Sequence, residues 1–195
     1  MTKEYVLIGL GNFGRTVIDV FNSLMEERKM QLPLELKNKV VTYTLDFPLN
    51  TTPSFFEVSN RILDEIKDSQ AKKNNVPFTF IFIGDLSEKM VSLYAMDFAY
   101  IPWVLNQRQT GFSKGTELGF FTFSDELDTT TSADKCDNET LALIRSFFTR
   151  LVDVDNKDSY LPPYKDARGF SFQQVSSPTG PFDRNYVLVT RGNQE

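Results

Sequence analysis

Histidine is absent from all 195 residues. That removes imidazole acid–base catalysis, Ser-His-Asp and Cys-His nucleophilic schemes, and histidine-ligated metal sites. Cys136 is the single cysteine, so neither an intrachain disulfide nor a thiolate metal cluster can be assembled; this usage fits a reducing compartment. Around Cys136 the sequence is polar, with only Lys135 as a nearby cation, a setting that does not activate a thiolate. No apolar run approaches the ~20 residues that span a bilayer. The first residues lead almost directly into a strand pattern, without the basic and apolar regions of a signal peptide. Cationic excess is missing as well: a formal net charge of −5 argues against a nucleic-acid phosphate-backbone binder. Together these absences predict a cytoplasmic protein with no direct membrane insertion and no nucleic-acid partner.

What is present suits one domain over residues 1–195, with no second domain. Eighteen Phe residues predict an aromatic core. Tyr5, Val6, Leu7 and Ile8 are apolar at every position, the pattern of a strand buried on both faces of a parallel sheet. The turn Gly9-Leu10-Gly11-Asn12-Phe13-Gly14 follows. Then Phe13, Val17, Val20, Phe21 and Leu24 recur at helical spacing. A second strand runs through Val40, Val41, Tyr43 and Leu45 to Asp46. Ser54 and Glu57 have capping-box spacing ahead of a helix expected over 55–71.

Residues 78–83 form the clearest strand, and Gly84-Asp85-Leu86-Ser87-Glu88 lead from it into a helix through Met90, Val91, Tyr94, Met96 and Phe98. Residues 107–115 read as a loop and 119–123 as a fourth strand. A helix marked by Leu141, Ile144, Phe148 and Leu151 comes next, and 170–175 and 186–190 are the last strand candidates. Strands alternating with helices predict an α/β, Rossmann-like three-layer domain with a mostly parallel sheet.

Gly9-x-Gly11-x-x-Gly14 is a G-x-G-x-x-G pattern in its strand-to-helix setting. Glycines there let backbone N–H groups approach a phosphate at a helix N-terminus, or simply allow a tight turn packed against the helix with nothing bound. Asp46 stands where a ribose-binding carboxylate would, or merely ends a strand before Pro48. It lies farther from the glycines than the usual ~20 residues, which weakens an NAD reading. Asp85 and Glu88 have the chemistry to hold a cation or, more simply, to cap the helix that follows. The run Asp125, Glu126, Asp128 has the chemistry to bind a cation but reads more simply as a solvated acidic loop, and Trp103 as a core or interface residue.

The glycine turn, the long first crossover and the strand ending at Asp46 resemble the nucleotide-binding domain of the tubulin/FtsZ superfamily, bacterial tubulin-like proteins above all. Pro181-Phe182-Asp183-Arg184 leading into Tyr186-Val187-Leu188-Val189 is similar to the entry into a late strand of that group. In its GTPases a second loop of the Gly-Gly-Gly-Thr-Gly-Ser kind wraps the phosphates; here that position reads Gly84-Asp85-Leu86-Ser87-Glu88-Lys89-Met90. The family's central helix and second domain, which supplies the acidic catalytic loop, have no counterpart before Glu195.

The resemblance therefore implies a shortened, degenerate domain. A bound nucleotide, GTP or GDP, would lie on Gly9, Gly11, Asn12, Phe13, Gly14, Asp46, Gly84 and Ser87. No catalytic or metal-binding residue is assigned. The function it implies is non-catalytic: a structural or assembly protein, a pseudo-GTPase, associating with a protein partner or like subunits. The alternative is a Rossmann-type nucleotide-sensing module, like those gating potassium transport, binding NAD(H) or an adenine nucleotide. A small oxidoreductase or GTPase ranks last, since no catalytic cluster stands out.

Overall fold

The computed structural model describes residues 4–27, 40–45, 77–99, 102, 114–124, 138–152 and 182–190. Strand β1 (Glu4–Leu10) passes directly into helix α1 (Gly11–Glu26). Strands β2 (Val40–Leu45) and β3 (Phe78–Asp85) follow. Next come α2 (Lys89–Phe98), β4 (Lys114–Ser124), α3 (Asn138–Val152) and β5 (Arg184–Thr190). The helix expected over 55–71, the strand expected over 170–175, and Trp103, Asp125 to Asp128 and Cys136 lie outside the described residues.

All five strands are parallel, in the order β2-β1-β3-β4-β5. The fold is α/β and Rossmann-like, as the alternating pattern predicts. In this doubly wound order the chain starts at β1, builds outward to β2, then returns past β1 to build the other way from β3. The switch point therefore lies between β1 and β3, where such folds place their ligands. Register brings Leu10 of β1 level with Leu45 of β2 and Gly84 of β3, so the segments that follow these residues leave from one edge of the sheet.

Alternation along the strands separates the two faces. Gly9 abuts Gly14 and Ile18 of α1, whereas Gly84 abuts Val91 of α2 and Phe121 abuts Phe147 of α3. Helix α1 thus covers one face, and α2 and α3 cover the other. The second face holds the densest core: Val6, Ile8 and Leu10 of β1 and Phe78, Phe80 and Phe82 of β3 are almost wholly buried. Phe182, just ahead of β5, sets its ring edge-on to Phe82 and Phe121, with centroids 5.7 and 5.6 Å away. Phe121 meets Phe147 at 5.1 Å, and Phe123 meets Phe148 at 6.0 Å. These T-shaped contacts explain the phenylalanine-rich composition, because offset edges and faces pack without voids and satisfy the ring quadrupoles.

One sequence reading is corrected. Strand β4 begins at Lys114, five residues before the expected start at Gly119, so 114 and 115 are strand and not loop. Four residues of β4, Lys114 to Glu117, span the stretch that three residues of β3, Phe78 to Phe80, span, which is a bulge. A glycine fits there because a Cβ at Gly115 would collide with the Phe78 carbonyl. The buried Glu117 breaks the apolar pattern further, so the strand's first half does not look like one. At the other expected boundaries the elements match within a few residues. No helix among the described residues is long and apolar enough to cross a membrane.

Candidate functional site

Helix α1 has a problem at its N-terminus that its own sequence does not solve. Leu10 occupies the N-cap and offers no side-chain acceptor, and the first turn contains no acidic residue. The leading amides of a helix need acceptors, and the partial positive charge there favours an anion. Both needs are met from 75 residues away. Glu88 turns its carboxylate onto the turn, with Oε2 accepting from Asn12 N–H at 2.9 Å and Oε1 from Phe13 N–H at 2.8 Å. In a nucleotide-binding domain this is where a phosphate oxygen pair would sit.

The loop after β3 is built to hold that carboxylate still. Asp85 Oδ1 accepts from Ser87 N–H at 2.8 Å, and Glu88 N–H donates to the Asp85 carbonyl at 3.0 Å, closing a tight turn. Leu86 N–H donates to the Thr122 carbonyl of β4 at 2.8 Å, and the Leu86 side chain is fully buried. The Ser92 hydroxyl donates back to the Leu86 carbonyl. Ser92 N–H donates to the Glu88 carbonyl at 3.0 Å, opening α2. Glu88 therefore starts one helix with its backbone and caps another with its side chain.

Each glycine of the G-x-G-x-x-G pattern has a reason internal to the fold. A Cβ at Gly9 would run into the Gly14 backbone and lie 2.8 Å from Ile18 Cγ1. One at Gly14 would run into the Ile83 carbonyl and lie 2.8 Å from Gly9 Cα. These two glycines let α1 approach β1 and β3 more closely than side chains permit. Gly11 has φ +68°, in the left-handed region, and a Cβ on it would meet the Glu88 carboxylate and stand 2.8 Å from Val91 Cγ2.

No family model, curated protein or solved structure matches this chain. The site is therefore read from its own geometry. Of the residues expected to hold a nucleotide, Gly9, Gly11, Asn12, Phe13, Gly14, Gly84 and Ser87 do gather at the switch-point edge. Asp46 lies outside the described residues. Gly84 is buried beneath Val91 and Leu10, and the Ser87 amide is engaged by Asp85. No group of three or more potential metal ligands occurs among the described residues. Asp85 and Glu88, weighed as cation ligands or caps, both accept backbone N–H groups. The spacing predicts that Glu88 caps the helix it precedes; its side chain caps α1 instead. The signal that would have found it is the missing acceptor at Leu10, opposite an acidic turn on the neighbouring strand.

A second junction ties β5 to the sheet. Asp183 N–H donates to the Glu117 carbonyl at 2.9 Å, and Asp183 Oδ2 accepts from Glu117 N–H at 2.8 Å. With Phe182 buried beside it, the Phe-Asp-Arg segment acts as a clip: the ring anchors it in the core, and the aspartate satisfies both backbone groups of one β4 residue.

Proposed function

We propose that this chain is a non-catalytic domain of nucleotide-binding type, tubulin-like in its descent, whose role is association with a protein partner or like subunits. One observation carries the reading: the carboxylate of Glu88 occupies the amides of Asn12 and Phe13, where a phosphate would bind. A ligand phosphate must first displace a tethered anion that is already in place. It then shares the edge with that anion, and at ~4 Å two unit charges repel by roughly 4 kcal/mol at an effective dielectric of about 20. That repulsion offsets much of what the two amides offer, at ~1.5–3 kcal/mol for each hydrogen bond to a charged group. The acidic Gly84-Asp85-Leu86-Ser87-Glu88 turn, where a glycine-rich phosphate loop would stand, acts in the same direction.

Calorimetry of GTP, GDP, ATP and NADH against the full chain tests the reading. The expected result is no binding of any of them at concentrations up to about 1 mM, where affinity falls to ~4 kcal/mol. Binding of one of them, or GTP hydrolysis abolished by Gly11→Val, would show the site to be active and the reading wrong.

A further inference from the structure

Along β5 the sheet carries large apolar side chains into solvent. Leu188 is 66% exposed, Val189 50% and Tyr186 43%. The Tyr186 ring stacks on Phe120 of β4, centroids 4.7 Å apart and planes 12° from parallel, and Phe120 is itself 38% exposed. Register pairs Tyr186 with Phe120 and Leu188 with Thr122, which sets both β5 residues on the face opposite α3. Among the described residues β5 is the outer strand on this side. Edge strands are ordinarily guarded by lysine, proline, inward charges or a bulge. Between Arg184 and Thr190 only Arg184 is charged, none is proline, and the seven-residue ladder with β4 runs without a register shift.

We propose that β5 is a self-association edge: two copies of this chain pair their β5 strands antiparallel about a two-fold axis at Val187, continuing one sheet into the next. The proposal rests on the association reading above and names the partner. An isologous contact needs a surface complementary to itself. About Val187, Tyr186 falls opposite Leu188 of the second copy, and this aromatic–aliphatic pair occurs twice on one face. Charge selects the antiparallel sense. In-register parallel pairing would set Arg184 beside Arg184, whereas the two-fold moves them to opposite ends.

Area sets the strength. Tyr186, Leu188 and Val189 leave roughly 250–300 Å² of exposed side chain per copy, on the ~150–250 Å² scale of large side chains. Two copies give at most roughly 500–600 Å² plus the backbone edge, below the ~1,200–2,000 Å² of a standard stable interface. The dimer is therefore weak and concentration-dependent. With −5 charges on each copy it tightens as salt rises, since screening reaches about 8 Å at ~0.15 M.

Sedimentation velocity of the full chain from about 10 μM to about 1 mM is the test, a range suited to weak association. A monomer–dimer equilibrium is expected, weakened about tenfold or more by Leu188→Lys and, separately, by Tyr186→Lys, with a tenfold change equal to 1.4 kcal/mol. Far-UV circular dichroism checks that each variant is folded; Leu188 is the more exposed of the two, and either variant suffices if the other fails. A chain that stays monomeric at about 1 mM, or a dimer of unchanged strength in the folded variants, overturns the proposal. A monomer that binds no nucleotide rejects this edge and leaves the association reading standing. A chain that binds nucleotide rejects that reading whatever its oligomeric state.

Discussion

At the switch point the leading amides of α1 meet a carboxylate from the same chain, while along β5 apolar side chains face solvent. In a domain that works on nucleotides these roles are normally reversed: the turn stays open for a ligand, and the flank of the sheet is covered. Here Glu88 closes the turn, and the Phe182–Asp183 clip fastens β5 without hiding its outer side chains. The difference teaches where binding capacity resides. Backbone donors at the turn are already spent on an internal anion, whereas β5 presents Leu188, Val189 and Tyr186 with little charge among them.

The comparison presumes a rigid core joining the two regions, and Phe121 is its centre, touching both Phe147 of α3 and Phe182 of the clip. Phe121→Ala is expected to cost about 3–5 kcal/mol, the largest effect in the set, because it leaves a void between the rings of Phe147 and Phe182. Urea unfolding with an unchanged slope measures it. A loss below about 1 kcal/mol would show β5 to be held by the clip's hydrogen bonds and not by packing.

At the closed end, Glu88→Ala is expected to destabilise the fold by about 1–3 kcal/mol, the scale of a lost helix cap carrying a charge. Glu88→Gln should cost less, since its amide oxygen keeps one acceptor while its NH₂ cannot take the second amide. Gly11→Ala sharpens the point. In the native chain its Cβ meets both a left-handed φ and the Glu88 carboxylate. In a Glu88→Ala background only the φ cost of about 1–2 kcal/mol and the Val91 contact remain. A double-mutant cycle should therefore show coupling between positions 11 and 88; strict additivity would mean that the carboxylate does not sit on this turn in solution.

How much of this was legible depended on the range of each interaction. The parallel sheet was readable because Tyr5 to Ile8 are apolar throughout and Phe78 to Ile83 are apolar but for Thr79, a property local to each segment. The helices around them followed from periodicity. The start of β4 was hidden by Gly115 and Glu117, which obey a bulge and a buried position that only the neighbouring strand defines. Glu88 was visible as a cap, yet its target lay 75 residues back, and spacing rules reach only three or four residues. The glycine pattern was correct as geometry and silent about ligand, because close helix–strand approach and phosphate binding ask for the same residues.

Asp183 tests how firmly the open end is fastened. Asp183→Ala removes the acceptor for Glu117 N–H but leaves the backbone bond from 183 N–H to the Glu117 carbonyl. About 1 kcal/mol of stability should be lost, and hydrogen exchange at the Glu117 amide should quicken more than at Leu10. Equal quickening at both amides would mean that the two regions open together, and the contrast between them would be static only.

The smallest effect on folding belongs to the residue most exposed in the contrast. Leu188 is in solvent in the monomer, so Leu188→Lys exchanges one hydrated side chain for another and should change unfolding free energy by no more than about 0.5 kcal/mol. Measured at low protein concentration, where a weak dimer has dissociated, that near-neutrality would show that Leu188 contributes nothing to the fold of a single copy. A loss above about 2 kcal/mol at the same dilution would place Leu188 in the interior and remove the exposed edge on which the contrast depends. A stability gap that appears only as concentration rises is the signature of a side chain retained for a second molecule, because mass action stabilises the folded chain only when its partner is present.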